Sequence, residues 1–239
     1  MHPLKQFEIH TLIPIDVFGI DLSFTNAAAF MMLAAVLPSA FFLFCLRCES
    51  IVPGRVQSVG EMFFYLVYRM LSDISGEKGV KFFPLIFSIF MFILAGNVLG
   101  MLPWAFTFTS QVIADFALAL AVVVAITVAG IVVNGNKFFR VFLPRNVPIW
   151  ISPILLPIEI ISYFIKPLSL SGRLFVNMTA GHIMLKVFAH FIVSIGVFGV
   201  VPLAVAIVLT ALEFFVALLQ AYVFTIMSCI YLNDALHPH

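Results

Sequence analysis

Long apolar runs at about 24–46, 82–106, 112–133, 149–196 and 200–232 set the solvent of this chain. Each can cross a hydrocarbon layer about 30 Å thick, which takes roughly 20 residues as a helix. With 63% hydrophobic and only 10% charged residues, the chain lies far from the soluble average of about 45–50% apolar and about 25% charged. The sequence therefore predicts one all-α polytopic membrane domain spanning residues 1–239.

The runs differ in kind. Residues 24–46 read as one N-terminal transmembrane helix ending at Arg47. Over 53–78, Val56, Val59, Phe63, Leu66, Val67, Met70 and Ile74 recur at helical spacing, with Arg55, Glu61, Arg69 and Asp73 on the other faces. That pattern predicts an amphipathic helix lying in the membrane interface. The 82–106 and 112–133 runs, joined by a short uncharged link around Thr107–Gln111, predict a transmembrane hairpin. A polar loop follows at 134–145, and then come two long runs joined near Gly196, Gly199 and Pro202. At 1.5 Å per residue, 149–196 would reach about 72 Å, more than twice the core thickness. Strong tilt, or a kink at Pro167, must accommodate it, so the last two runs are expected as tilted helices packed antiparallel.

The first 23 residues carry Glu8, Asp16 and Asp21 against Lys5, and the run after them is too long for a signal peptide, so the segment is expected to be retained. Cationic loops stay cytoplasmic. Arg47, Arg55, Arg69, Lys78 and Lys81, with Lys137, Arg140 and Arg145, place both of their segments inside, and with them His237-Pro238-His239. The N-terminus is then outside. Cys45-Leu-Arg-Cys48 has neither a second pair nor a nearby histidine to complete a metal site, so its thiols read as plain membrane-edge residues.

Glu159, Ser162, Lys166, Ser169, Arg173 and Asn177 punctuate the first long run. At about 100° per residue they fall within one arc of roughly 80°. One such residue suggests a satisfied structural contact, but six in register suggest an ion path, because intramembrane ionisable groups are expensive. An arginine at the centre of a membrane helix costs about 2.5–3.5 kcal/mol on insertion scales. A guanidinium cannot shed its proton to escape that cost, so Arg173 is a fixed cation.

If the last two helices turn near residue 198, residues equidistant from the turn share a depth. His182 then meets the level of Glu213, Arg173 that of Gln220 to Tyr222, and Asn177 that of Leu218. Glu213 and Gln220 share a helical face with Ala217 between them. A histidine and an acid at one depth, outward of a fixed charge, suit a wet proton entrance. His190 and Lys186 have no such partner and read as snorkelling toward the surface. Asn177-Met178-Thr179 fits a glycosylation sequon but is buried in the run, and Gly96-x-x-x-Gly100 fits a helix-packing motif.

The segments PIEIISYFIKPLSLSGRLFVNMTAGH (157–182), LEFFVALLQAYVFTIMSCIYLNDALH (212–237) and NVLGMLP (97–103), with the FEIHTLIPI opening, resemble subunit a of F-type ATP synthases over nearly the whole chain. The resemblance implies a stator subunit that passes protons through two offset half-channels, between which they ride on carboxylates of a rotating c-ring. Carried residue by residue, it makes Arg173 the essential arginine facing the ring carboxylate, flanked by Asn177 and Gln220. Glu159, with Ser162 and Ser169, would line the cytoplasmic half-channel, and His182 with Glu213 the outer one. In part of the family that histidine and acid exchange places; the arrangement here is similar to mitochondrial and related bacterial forms.

The implied partners are the c-ring, peripheral stalk subunit b, the rest of the complex and membrane lipid, with no nucleic acid. The implied location is a bacterial inner membrane, with the mitochondrial inner membrane as the alternative. No cofactor, metal or catalytic residue is expected in the chain itself. Two rival classes fit less well. A secondary transporter predicts an internal repeat with paired broken helices, and the 82–133 and 149–232 hairpins share no convincing similarity. A haem-bearing subunit needs axial ligands on facing helices, but His182 and His190 share one helix and the last run has no histidine to face them.

Overall fold

A computed structural model of the chain describes residues 10–14, 16–17, 20–21, 23–47, 54–102, 106–135 and 152–237. Cys48, the 134–145 loop beyond Gly135 with Lys137, Arg140 and Arg145, and the terminal Pro238-His239 lie outside the described residues.

The fold is all-α and polytopic, apart from two short antiparallel ribbons before the first helix. In these, β1 (Thr11–Ile13) pairs with β4 (Phe24–Thr25), and β2 (Asp16–Val17) pairs with β3 (Ile20–Asp21). Six α-helices follow among the described residues: α1 (Asn26–Arg47), α2 (Arg55–Val80), α3 (Phe83–Gly100), α4 (Val112–Asn134), α5 (Ser152–Ser194) and α6 (Val200–Leu236). All but α2 are long and apolar enough to cross a membrane.

Local chemistry sets several boundaries. Thr25 Oγ accepts the Ala28 amide at 3.3 Å and so caps the start of α1, where free amides need an acceptor. The α3 helix stops at Gly100, earlier than the expected 106, because Pro103 lies just beyond and the residues before a proline are driven out of the helical region. A 3-10 turn at Phe108–Ser110 then leads into α4. The α2 helix is interrupted at Gly76, where φ is +61°. The α5 helix runs through both Pro157 and Pro167. At 43 residues it is about 65 Å long, too long to stand upright in a core about 30 Å thick. The turn between α5 and α6 needs a left-handed residue, supplied by Gly196 at φ +63°.

Two compact units divide the chain. The first draws on Met1–Ala40, Phe92–Asp115 and Arg173–Ala221. Its centre packs α1 against α3 and the hairpin link through Ala27, Ala34, Leu99, Phe106 and Phe108, with Phe30 and Phe92 beside them. Small residues on α1 let the aromatic rings approach, and packing rather than water exclusion drives such contacts in lipid. Gly96 faces the hairpin link, and Gly100 faces both that link and helix α5. A Cβ on Gly96 would meet the Phe108 ring at 2.5 Å, and one on Gly100 would meet Thr107 at 2.7 Å and Met178 at 3.0 Å. The glycines make room mainly for the hairpin link.

The second unit draws on Phe41–Met91, Phe116–Gly172 and Tyr222–His239. Phe42, Phe63, Phe64, Tyr68, Phe83, Phe87 and Phe90 interlock across the end of α1, α2 and the start of α3. Cys45 is buried here, its thiol 3.7 Å from the Val56 carbonyl. Ser75 Oγ donates to the Cys229 carbonyl at 3.0 Å, tying α2 to α6. Asn134 Nδ2 donates to the Ala235 and Leu236 carbonyls at 2.8 and 3.1 Å. Carbonyls at a helix end lack internal partners, so this contact explains why α6 continues to Leu236, past the expected 232.

Candidate functional site

The polar arc on α5 is sorted by angle. Ser169, Ser162 and Arg173, at one edge of the roughly 80° arc, are exposed, whereas Lys166, Glu159 and Asn177, at the other, are half-buried. Buried apolar residues Leu170, Leu174 and Met178 continue the rotation on the inward side. The arc is thus the border between the packed face of α5 and its open face.

In the first unit, Arg173 projects from the open face with no hydrogen bond or ion pair to any described residue. One turn on, Asn177 Nδ2 donates to Gln220 Oε1 at 2.9 Å. Gln220 is buried, as is Ala217, whose carbonyl accepts Asn97 Nδ2 at 3.1 Å. Asn97 opens the NVLGMLP segment, so this motif fixes α3 to α6 beside the site.

His182 and Glu213 also meet, with Nε2 and Oε1 4.0 Å apart. The imidazole Nε2 lies 3.3 Å from Thr107 Oγ, which in turn donates to the Gly100 carbonyl at 3.2 Å. Glu213 is only 7% exposed, and neither carboxylate oxygen has a hydrogen bond among the described residues. Its position depends on Gly181: a Cβ there would stand 2.5 Å from Oε1 and 2.8 Å from the carboxyl carbon. His182 and Arg173 are nine residues apart, about 180° around the helix. The His182–Glu213 pair therefore occupies the packed side of α5 and Arg173 the open side, with Asn177, the partner of Gln220, between them in sequence and angle.

In the second unit, Glu159 is half-buried and Ser162 and Ser169 are exposed. Lys166 does not stand free. Its ammonium is 3.5 Å from Asp234 Oδ2, and it lies 4.6 Å from the centre of the Tyr231 ring and 5.4 Å from that of Tyr163. A cation over aromatic faces beside a carboxylate is held from two directions. Tyr163 Oη is itself hydrogen-bonded to Thr127 Oγ of α4.

Sequence spacing brought out neither this cluster nor the supporting roles of Thr107, Asn97 and Gly181. Extending the equidistance rule to the end of α6 would have set Lys166 level with Cys229, five residues short of Asp234. Gly181 carried no signal of its own, because a glycine beside a histidine looks like any small residue until the opposing carboxylate is placed.

The family model described as ATP synthase A chain matches residues 28–233. ATP synthase subunit a of Rhodospirillum rubrum is 50% identical over 241 residues, covering 100% of both chains. The subunit a of Paramagnetospirillum magneticum is 51% identical over 245 residues, 100% of this chain and 99% of its own length. That of Rhizobium rhizogenes is 50% identical over 243 residues, 99% of this chain and 97% of its own. Arg173, the paired Asn177 and Gln220, and the His182–Glu213 couple all fall inside the matched span, and the chain belongs to the ATP synthase A chain family, that of ATP synthase subunit a.

Proposed function

We propose that this chain is the proton-translocating stator subunit of its ATP synthase, binding no nucleotide itself and forming two offset half-channels against a rotating c-ring. The observation that carries the reading is Arg173: a permanent cation in a membrane helix, on the open face, without an anion in the described chain. Such a charge is costly in lipid, so its partner belongs to another subunit. A ring of passing carboxylates supplies one at every step.

The chemistry follows from the fixed charge. A cation within about 4–6 Å favours the ionised form of an acid, so a ring carboxylate arriving at Arg173 gives up its proton and regains one after leaving. Because Arg173 keeps its own proton, it cannot relay one, and it separates the two access routes. Glu159, with Ser162 and Ser169 on the same arc, lines the cytoplasmic route. His182 and Glu213 line the outer one, and Asn177 and Gln220 hold the ground between that pair and the arginine. Moving one charge through 100 mV yields about 2.3 kcal/mol, which a ring accumulates over several protons.

The reading places the chain in a bacterial inner membrane, N-terminus outside and C-terminus in the cytoplasm, beside the c-ring and peripheral stalk subunit b. The test is Arg173→Ala in the assembled complex. Loss of both ATP synthesis and ATP-driven proton pumping, with normal assembly, is expected; normal coupled synthesis would sink the proposal.

A further inference from the structure

Asp115 stands in the first turn of α4, the sole charged residue of that helix, and is 1% exposed. Neither carboxylate oxygen is hydrogen-bonded to any described residue. An ionised carboxylate buried in this way is unfavourable by several kcal/mol, so the group is either protonated or in contact with water. Nothing in the packing of α4 requires an acid there, and an apolar residue would fill the position without that cost.

The surroundings favour water. In the same unit, Asn97 Oδ1, Thr109 Oγ, Thr179 Oγ and both oxygens of Glu213 are also buried without a hydrogen bond among the described residues. Buried waters are held by two to four such polar atoms. From Asp115 toward the His182–Glu213 pair the chain is hydrogen-bonded turn by turn, with extended residues at Gln111 and Thr107. The Asp115 amide donates to the Gln111 carbonyl, and the Gln111 amide to the Phe108 carbonyl. Ser110 Oγ donates to the Thr107 carbonyl at 2.6 Å, and Thr107 Oγ reaches His182. Thr107 and Asp115 are eight residues apart, at most about 20 Å along a segment that is helical except at Thr107 and Gln111. The other titratable side chains on this unit's helices are Arg173, His182, Lys186 and His190 on α5 and Glu213 on α6.

We infer that Asp115 is a proton-accepting residue at the mouth of the outer half-channel, exchanging protons with external water and passing them through water beside Thr109 and Thr107 to His182 and Glu213. The inference rests on the half-channel reading above, with the hairpin link on the outer side. In each transfer the carboxylate takes a proton from an external hydronium, leaving water. The neutral acid then returns the proton to an inner water, which delivers it to the imidazole or to the Glu213 carboxylate, and Asp115 is restored as the anion.

The experiment uses the whole complex in liposomes, with ATP synthesis driven by an imposed gradient and measured against the pH of the outer compartment. Asp115→Asn keeps the size and the assembly and is expected to slow synthesis on the order of tenfold, to shift the dependence on outer pH, and to be rescued by Asp115→Glu. A wild-type rate and pH profile in Asp115→Asn overturns the inference. So does an equal loss at every pH without rescue by glutamate, which marks a packing role. Glu213→Gln is measured in parallel: if it is slow while Asp115→Asn is normal, only Asp115 leaves the path. If Glu213→Gln and Arg173→Ala both run at wild-type rates, the half-channel reading itself has failed.

Discussion

Gly181 has no room for a side chain. Its missing side chain is the space that the Glu213 carboxylate fills, and a methyl group there would approach Oε1 to 2.5 Å. The glutamate would have to move by about 1 Å, and displacements of that size can reduce a rate on the order of 100-fold. Gly181→Ala should therefore slow proton flow at least about tenfold while the complex still assembles, as read from pumping in inverted vesicles. Unchanged pumping would mean that Glu213 tolerates several positions. The pairing of His182 with Glu213 could be read from sequence because equidistance from a turn is arithmetic. The dependence on Gly181 could not, because it arises from the contact between two helix surfaces.

Among the elements, α5 and α6 carry the site, and their pairings are not uniform along their length. Close to the turn His182 meets Glu213, whereas further away Asn177 meets Gln220 rather than Leu218, and Lys166 reaches Asp234. The partner on α6 lies progressively further from the turn than equal counting predicts, as expected for helices that are neither straight nor parallel. The far end of α6 is held by Asn134 from α4. Each of those two hydrogen bonds contributes roughly 1 kcal/mol. Asn134→Ala should raise amide hydrogen exchange in the last turn of α6 severalfold and leave exchange near Gln220 unchanged; protection preserved at both places would show that α6 needs no such cap. Pro167 removes one amide, yet the remainder of the ladder keeps α5 helical on both sides of it.

At the scale of the whole molecule, the chain covers little of its two longest helices. Ile158, Ile165 and Val176 are all more than half exposed on α5, within about 80° of Arg173 around the helix. On α4, Val124, Val128 and Val132 are equally open but have no polar residue among them. If the α5 face meets a ring and the α4 face meets lipid, cysteines at positions 165 and 176 should form disulfides with cysteines on the ring's outer helices in the assembled complex. Cysteines at 124 and 128 should not. Equal cross-linking from both sets would place the ring elsewhere.

The sequence by itself determined the solvent and the helical class, and it named the first residues of the candidate site. Apolar runs leave a chain in lipid only helices to satisfy its backbone, and a fixed cation among them demands a partner. Only the tertiary structure decided which edge of the α5 arc is open and which is packed, why Gly96, Gly100 and Gly181 are glycines, and that Asp115 is buried with its oxygens unbonded. These are properties of surfaces in contact. Helical periodicity assigns a residue to a face, but what stands opposite that face depends on helices distant in sequence.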